Sequence, residues 1–376
     1  MGNHAVLSAS SSHRWMNCPP SVRLTEHMFD NGSVYAAEGS EAHALCEYKL
    51  RQVLGQDAQN PLESPGGLQY YDNAMEDAAT GYAAFVLEEL EEIRRTCPDP
   101  LVMVEQRLDF SRWVKDGFGT GDAVIVADGI LRIVDMKYGT GVAVSAENNS
   151  QMRLYALGAL EMFGDLYDID TVSMTIYQPR LSNISTDTIS KADLLEWAET
   201  VLRPVAELAY KGEGELNAGS WCRFCKLRST CRKRAEANLA LAQHDFKLPP
   251  TLSDEEISVI LGKLDDLTSW AADIREYALS AALSGTRFDG WKLVEGRANR
   301  RYTDEVAVAQ AVISSGYDPY ERRLLGITAM ERMLGKKQFS TLLDNLVERP
   351  QGKPTLVPAS DKRPEMTNAK NDFAND

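Results

Sequence analysis

Several features are scarce in this 376-residue chain, and each scarcity closes off a class of function. No run approaches the roughly 18 consecutive apolar residues of a membrane span. The first residues also lack the apolar core of a signal peptide, so a cytoplasmic protein without a membrane partner is expected. Cysteine is sparse: six in a chain of this length do not make a disulfide scaffold, and their clustering points to metal binding in a reducing compartment. There is no internal repeat, and no GxxxxGK loop followed by Ser or Thr, which excludes an ATP-driven motor of that kind. Positive charge is in deficit. With 40 Lys and Arg against 55 Asp and Glu, the net charge is −15, so contact with nucleic acid must come from local basic stretches. Two exist, RFCKLRSTCRKR at 223–234 and Arg287 to Arg301 with Lys292, Arg297 and Arg300. A solvated face explains the second better than the first.

What is present is ordinary for a globular protein, 44% hydrophobic and 25% charged, and long enough for about two domains. The informative stretch is GTGDAVIVADGILRIVDMKYGTG, Gly119 to Gly141. Ala123–Val126 and Ile130–Val134 are apolar and rich in β-branched residues, and Asp128-Gly129 between them is a two-residue hairpin signal. Pairing Ala127 with Ile130 then sets Asp122 opposite Asp135. Period-2 alternation puts Lys137 on the face of Asp135, together with Val124, Val126, Leu131 and Ile133. Two carboxylates facing each other across a ladder repel unless a cation lies between them. Acid, acid and lysine at one end of an apolar face is the arrangement of a divalent-metal nuclease. The alternative is that both aspartates are solvated strand ends, which the apolar neighbours and the lysine argue against.

Around this hairpin the chain reads as follows. LSASSSHRWMNC at 7–18 predicts a short helix capped by Ser10 or Ser11 and ended by Cys18-Pro19-Pro20. Helices are expected over Glu38–Leu54 and Tyr70–Thr96, separated by a loop at 59–67, then a strand over Leu101–Phe110 with Glu105 in its middle. A lone helical histidine such as His43 is more often structural than catalytic, and a mid-strand glutamate is often a surface residue, although Glu105 precedes the acidic hairpin. Beyond the hairpin come a helix over Asn148–Phe163, a strand over Val172–Gln178 and a helix over Lys191–Leu208. Gln151 and Tyr155, four apart, share one helix face. The order implies an α/β fold, a mixed sheet with helices on both sides. Further on, Asp254–Leu283 reads as a long helix from a Ser253/Glu256 capping box, with a possible break near Trp270. Trp291–Glu295 looks like a strand, and short helices follow at Asp304–Ser314 and Thr328–Leu334. Expected domains are 1–245, an accessory segment 246–350 and a poorly ordered tail 351–376.

WCRFCKLRSTC, Trp221–Cys231, is the second informative stretch. Cys222 and Cys225 have C-x2-C spacing, Cys231 follows, and Cys18 is the candidate fourth ligand. Cys46 and Cys97 have no ligand-like neighbours and read as small buried hydrophobes. One knuckle, one singleton and one remote cysteine fit an iron–sulfur cluster at least as well as zinc, and spacing alone does not separate them.

Together these residues resemble the RecB-like branch of the PD-(D/E)XK nucleases, which includes AddB-type nuclease domains and CRISPR-associated exonucleases with iron–sulfur clusters. The matching residues are Gly39…His43, Gly121-Asp122, Asp135-Met136-Lys137 and Gln151…Tyr155, with SASSSHRWMNCP resembling that branch's first cysteine motif. The resemblance covers roughly residues 7–235, and the whole chain is also similar to a family carried by phage and prophage genomes. Asp135 stands where many relatives have Glu. The resemblance implies a restriction-endonuclease-like core and hydrolysis of DNA phosphodiesters, as an exonuclease in phage recombination, replication or repair. It implies Mg²⁺ or Mn²⁺ held by His43, Asp122, Asp135 and the Met136 carbonyl, with Lys137 orienting water or stabilising charge. Gln151 and Tyr155 would position DNA, and Glu105 would assist or hold a second metal. It also implies a [4Fe-4S] cluster on Cys18, Cys222, Cys225 and Cys231 that staples the core. Partners would be single-stranded DNA or duplex ends, and an annealing protein or helicase, inside a bacterial host cell. Two other readings stand beside it: a DNA-binding scaffold with a degenerate nuclease core, and a zinc-stabilised binding module.

Overall fold

The computed structural model describes residues 5–28, 33–242, 253–294, 302–320 and 324–348. The expected tail at 351–376, Glu295, and the Arg297, Arg300 and Arg301 part of the second basic stretch lie outside the described residues. Packing divides the chain into two units, Met1–Ala281 and Ala282–Asp376.

The first unit is an α/β structure around one mixed sheet in the order β1-β2-β3-β4-β5. The strands are β1 (Leu101–Asp109), β2 (Phe118–Ala127), β3 (Gly129–Met136), β4 (Ile169–Gln178) and β5 (Asn183–Ser190). Every neighbouring pair is antiparallel except β3 and β4. A parallel step needs a crossover, and the chain between β3 and β4 supplies one with its helix Ser150–Phe163. The helices are α1 (Ser12–Asn17), α2 (Ser21–Thr25), α3 (Val34–Val53), α4 (Asn73–Arg94), α5 (Ser150–Phe163), α6 (Lys191–Trp197), α7 (Arg203–Lys211), α8 (Arg232–Ala242) and α9 (Asp254–Leu283). The expected Lys191–Leu208 helix is α6 and α7 joined by a π-helical turn, Ala198–Leu202.

The hairpin register is the expected one. Pairs run from Ala127↔Ile130 to Ala123↔Val134, and Gly129 turns the chain with φ +85, where a glycine costs no strain. Side chains alternate between two cores, one on each face of the sheet. Val124, Val126, Leu131 and Ile133 pack with Met152, Leu154 and Leu157 of α5 and with Trp15 of α1. Ala123, Ile125 and Val134 pack with Ala42, Leu45 and Leu50 of α3 and with Met75, Tyr82, Val86 and Leu90 of α4. Polar caps start these helices: Asp72 accepts from Met75 N at 2.8 Å for α4, and Asn149 accepts from Gln151 N and Met152 N for α5. Each such cap stabilises a helix start by about 1 kcal/mol.

Several expectations change. β5 has no counterpart in the sequence reading, because Asn183–Ser190 is polar and half-exposed at the sheet edge, where only one side of the strand is paired. Ser11 stands at the N-cap of α1, but its hydroxyl donates to Ser8 O at 3.2 Å and caps nothing. α9 runs unbroken through Trp270, opened by the expected box in which Ser253 N donates to Glu256 at 2.8 Å and Glu256 N to Ser253 Oγ at 3.3 Å. Trp291–Val294 form no strand and are exposed, with Trp291 84% accessible. The second unit holds α10 (Glu305–Ser314), α11 (Ile327–Leu334) and α12 (Lys336–Leu343), with Asp304 capping α10 through Ala307 N at 3.0 Å. No described helix is long and apolar enough to cross a membrane.

Candidate metal centre

The site forms where the β2–β3 hairpin opens and β1 loses one rung. The β1/β2 ladder pairs Val104 with Ala123 and Gln106 with Gly121, and skips Glu105 and Asp122 between them. Glu105 has φ +52, a left-handed conformation that bulky side chains rarely adopt within a strand. The alternation of β2 slips at this point. A Cβ at Gly119 or Gly121 would meet Tyr155 or Leu108, on the α5 side, as Val124 does, whereas Ala123 belongs to the α3/α4 side. Strict period 2 through Asp122 is therefore corrected. The missing rung frees Asp122 to meet α3 on one side while staying beside Asp135.

Asp122 is buried, and its two oxygens are used separately. Oδ2 accepts from Met136 N at 2.7 Å, and Oδ1 lies 3.3 Å from Nδ1 of His43 on α3. His43, Glu105 and Asp122 each offer one ligand atom within 4.8 Å of the others. One imidazole nitrogen and two carboxylate oxygens make a donor set suited to Mn²⁺ or Mg²⁺. Met136 contributes its backbone N–H to Asp122, while its side chain is buried among α3 and α4 residues.

Asp135 sits beside this group, 1% exposed. Gln151 of α5 donates through Nε2 to Asp135 Oδ1 at 3.2 Å and to Tyr155 Oη at 3.0 Å, so the expected shared face of Gln151 and Tyr155 does meet the site. Lys137 Nζ lies 2.7 Å from Asp135 Oδ2 and is the cation paired with that oxygen.

The charges are pushed apart by their surroundings. Burial works against ionised Asp122, but the charge and hydrogen bond of His43 hold its carboxyl below the usual range. Burial raises Asp135, with Lys137 opposing and Asp122 adding to the rise. Burial alone would lower His43, and Asp122 and Asp135 overcome it, raising the ring to about 9. Burial and the nearby Asp122 push Glu105 up to about 7, against the pull of His43. Burial disfavours charged Lys137, while Asp135 and Asp122 raise it. Without a cation this cluster holds protons that a divalent ion would displace.

Sequence reasoning missed the brace behind Glu105. Arg51, two turns beyond His43 on α3, donates through Nη2 to Val104 O at 2.9 Å and through Nε to Glu47 at 2.9 Å. The signal was available: His43, Glu47 and Arg51 recur every four residues and share one helix face. Cys46, on the same helix, is a buried core residue as expected, while Cys97 is only partly buried.

The remaining four cysteines share one pocket lining, although among the described residues no three of their sulfurs approach one another as closely as the ligand atoms of His43, Glu105 and Asp122 do. Cys18, Cys222, Cys225 and Cys231 line one open cavity with Arg14, Arg228 and Arg234. The N-terminal strap is tied there by Asn217 Nδ2 donating to Asn17 O at 3.1 Å, and to the start of α5 by Ser12 and Ser150 hydroxyls 2.7 Å apart. None of the four is in a disulfide. Arg234, 3% exposed, and Arg228 both pair with Asp273 of α9, so the basic run has two of its charges committed inside the fold.

Over residues 4–364 the chain matches the model of a family described as "Protein of unknown function (DUF2800)". Among solved structures, the crystal structure of SSO0001 is similar over 59% of this chain and 96% of that one, with 11% identity and a TM-score of 0.22. A likeness that slight carries no argument about fold or site.

Proposed function

We propose that this chain, which belongs to the DUF2800 family, is a divalent-metal-dependent DNA nuclease with a PD-(D/E)XK-type core, acting as an exonuclease. The observation that carries the reading is the His43, Glu105 and Asp122 group beside the buried Asp135–Lys137 pair. Clustered buried acids that repel one another are costly without a cation. A bound Mn²⁺ or Mg²⁺ would supply Lewis-acid activation of water and of the phosphate. The protein's own part is positional. Met136 N and His43 orient Asp122, Gln151 holds Asp135, and Lys137 presents a cation to charge developing on the phosphate. Buried Tyr155 steadies Gln151 and has its own hydroxyl pK raised by burial and Asp135, so it stays a neutral partner.

The cysteines would hold a [4Fe-4S] cluster acting as a staple. Cys18, Cys222, Cys225 and Cys231 line one open cavity, their spacing fits a cuboidal cluster at least as well as zinc, and bridging Cys18 to Cys222 closes a loop of about 200 residues. The test is incubation of anaerobically purified protein and Mn²⁺ with end-labelled linear and with circular DNA. Release of short products from the linear DNA alone is expected. Cutting of circles would replace exonuclease by endonuclease, and no cutting of either would overturn the reading.

A further inference from the structure

Lys137 and Gln151 both touch Asp135, so the loop between them is anchored on the site at each end. Gly139–Ala143 are exposed, and their conformation is set from beneath by one side chain. Gln178, at the end of β4, is 1% exposed and uses both ends of its amide. Its Nε2 donates to Gly139 O at 2.8 Å and to Val142 O at 2.9 Å, while its Oε1 accepts from Val144 N and from Asn183 Nδ2, both at 3.1 Å. The neighbouring Tyr177 O accepts from Lys137 N at 2.9 Å. The end of β4 therefore fixes the backbone of Lys137 and of the loop that follows it.

The carbonyls of Gly139 and Val142 are thereby occupied. Among the described residues, the N–H groups of Gly139 to Ala143 donate no hydrogen bond within the chain, whereas Val144, Ala146, Glu147 and Asn148 all do. A run of amides without a partner in the chain, on exposed residues close to a lysine and with two glycines offering no side chain to obstruct approach, is suited to an anion. A Cβ at Gly139 or Gly141 would meet nothing within 4 Å, so the space above the loop is open.

We infer that the 139–143 loop is a phosphate-binding subsite for the substrate strand, contacting a phosphodiester next to the one cleaved, and that Gln178 is its positioning residue. The inference rests on the nuclease reading for its substrate. Gln178 is suited to the task because an amide can donate to two carbonyls and accept from two N–H groups at once, which neither Glu nor Leu can do.

The test uses full-length, anaerobically purified protein and a short fluorescein-labelled single-stranded oligonucleotide, with Ca²⁺ replacing Mn²⁺ to hold off cleavage. Gly141→Pro removes one of these amide N–H groups, and Gly141→Ala keeps it. The expected result is a Kd for Gly141→Pro about tenfold above that of Gly141→Ala, as for one lost charge-assisted hydrogen bond. Gln178→Glu, which cannot donate to the two carbonyls, should weaken binding similarly and speed hydrogen exchange at 139–144. With Mn²⁺, both Gly141→Pro and Gln178→Glu should raise KM by a larger factor than they lower kcat. Should Gln178→Glu not fold, the Gly141 pair decides alone. If wild type cuts DNA but Gly141→Pro matches Gly141→Ala in Kd and KM, the subsite is wrong and the nuclease reading stands. If wild type binds the oligonucleotide with the expected Gly141 contrast but never cuts, the nuclease reading fails and 139–143 stands as a DNA-phosphate site with no cleavage beside it.

Discussion

Glu105 faces Asp122 across the single rung that is missing from the β1/β2 ladder, and its backbone is left-handed there, with φ +52. Such a conformation in a non-glycine residue stores about 1 kcal/mol or more. Glu105→Gly should therefore be more stable than Glu105→Ala by about 1 kcal/mol, the reverse of the order in an ordinary strand. Both variants should lose Mn²⁺ affinity. Thermal unfolding with and without Mn²⁺ reads both effects, and Ala equal to or above Gly would show that the strain is absent.

The pH dependence follows from His43 and Glu105. His43 titrates at about 9 against 6.5 unfolded, so its stabilising share is full below pH 6.5 and is lost as pH rises through 9. Glu105 titrates at about 7 against 4.5, so the folded apo protein also binds more protons between those values and loses stability as pH rises across them. Metal binding displaces the same protons. The rise in Tm on adding Mn²⁺ should grow from pH 6 to pH 8.5. In Asp122→Asn, His43 should titrate well below its wild-type value, since burial is then opposed by Asp135 alone; NMR of the ring measures this. A His43 titration unchanged by Asp122→Asn would remove the coupling.

Asp273 neutralises two arginines at once, one of them almost fully buried. Asp273→Asn leaves Arg234 without a counter-charge and should cost about 3–5 kcal/mol. Unfolding by denaturant checks it, and a loss under about 1 kcal/mol would mean that the arginines find water instead.

Cys18→Ser and Cys225→Ser should destabilise alike, and the double variant should be little worse than either, because both remove one crosslink and their effects cannot add. Anaerobic protein should be brown, holding about four irons per chain. Cys97→Ser should leave that content unchanged. A colourless preparation with one tightly held zinc would assign the cavity to zinc.

Much of this could be read from the sequence, for identifiable reasons. Asp128-Gly129 fixes the hairpin turn, and the turn fixes the register, so the proximity of Asp122 to Asp135 follows from local chemistry. The face of Asp122 does not, because the left-handed Glu105 on another strand interrupts the alternation, and nothing in the glutamate's neighbours announces it. Gln178 ends an apolar run and looks like a solvated residue; its burial arises only when the 139–144 loop folds over it. β5 was hidden because an edge strand needs no apolar alternation to be paired on one side. The four cysteines could be grouped because no other residues gave Cys18 a partner, but their shared cavity depends on the strap tied by Asn17 and Ser12.

The most direct measurement compares Mn²⁺-dependent release of labelled nucleotides from linear DNA by wild type, Asp122→Asn and Asp135→Asn, each shown by thermal unfolding to be folded. The expected result is release by wild type that stops with a chelator and falls by at least about a thousandfold in both variants, the scale of losing a transition-state electrostatic group. Equal release by wild type and either variant would place the chemistry elsewhere and contradict the metal centre.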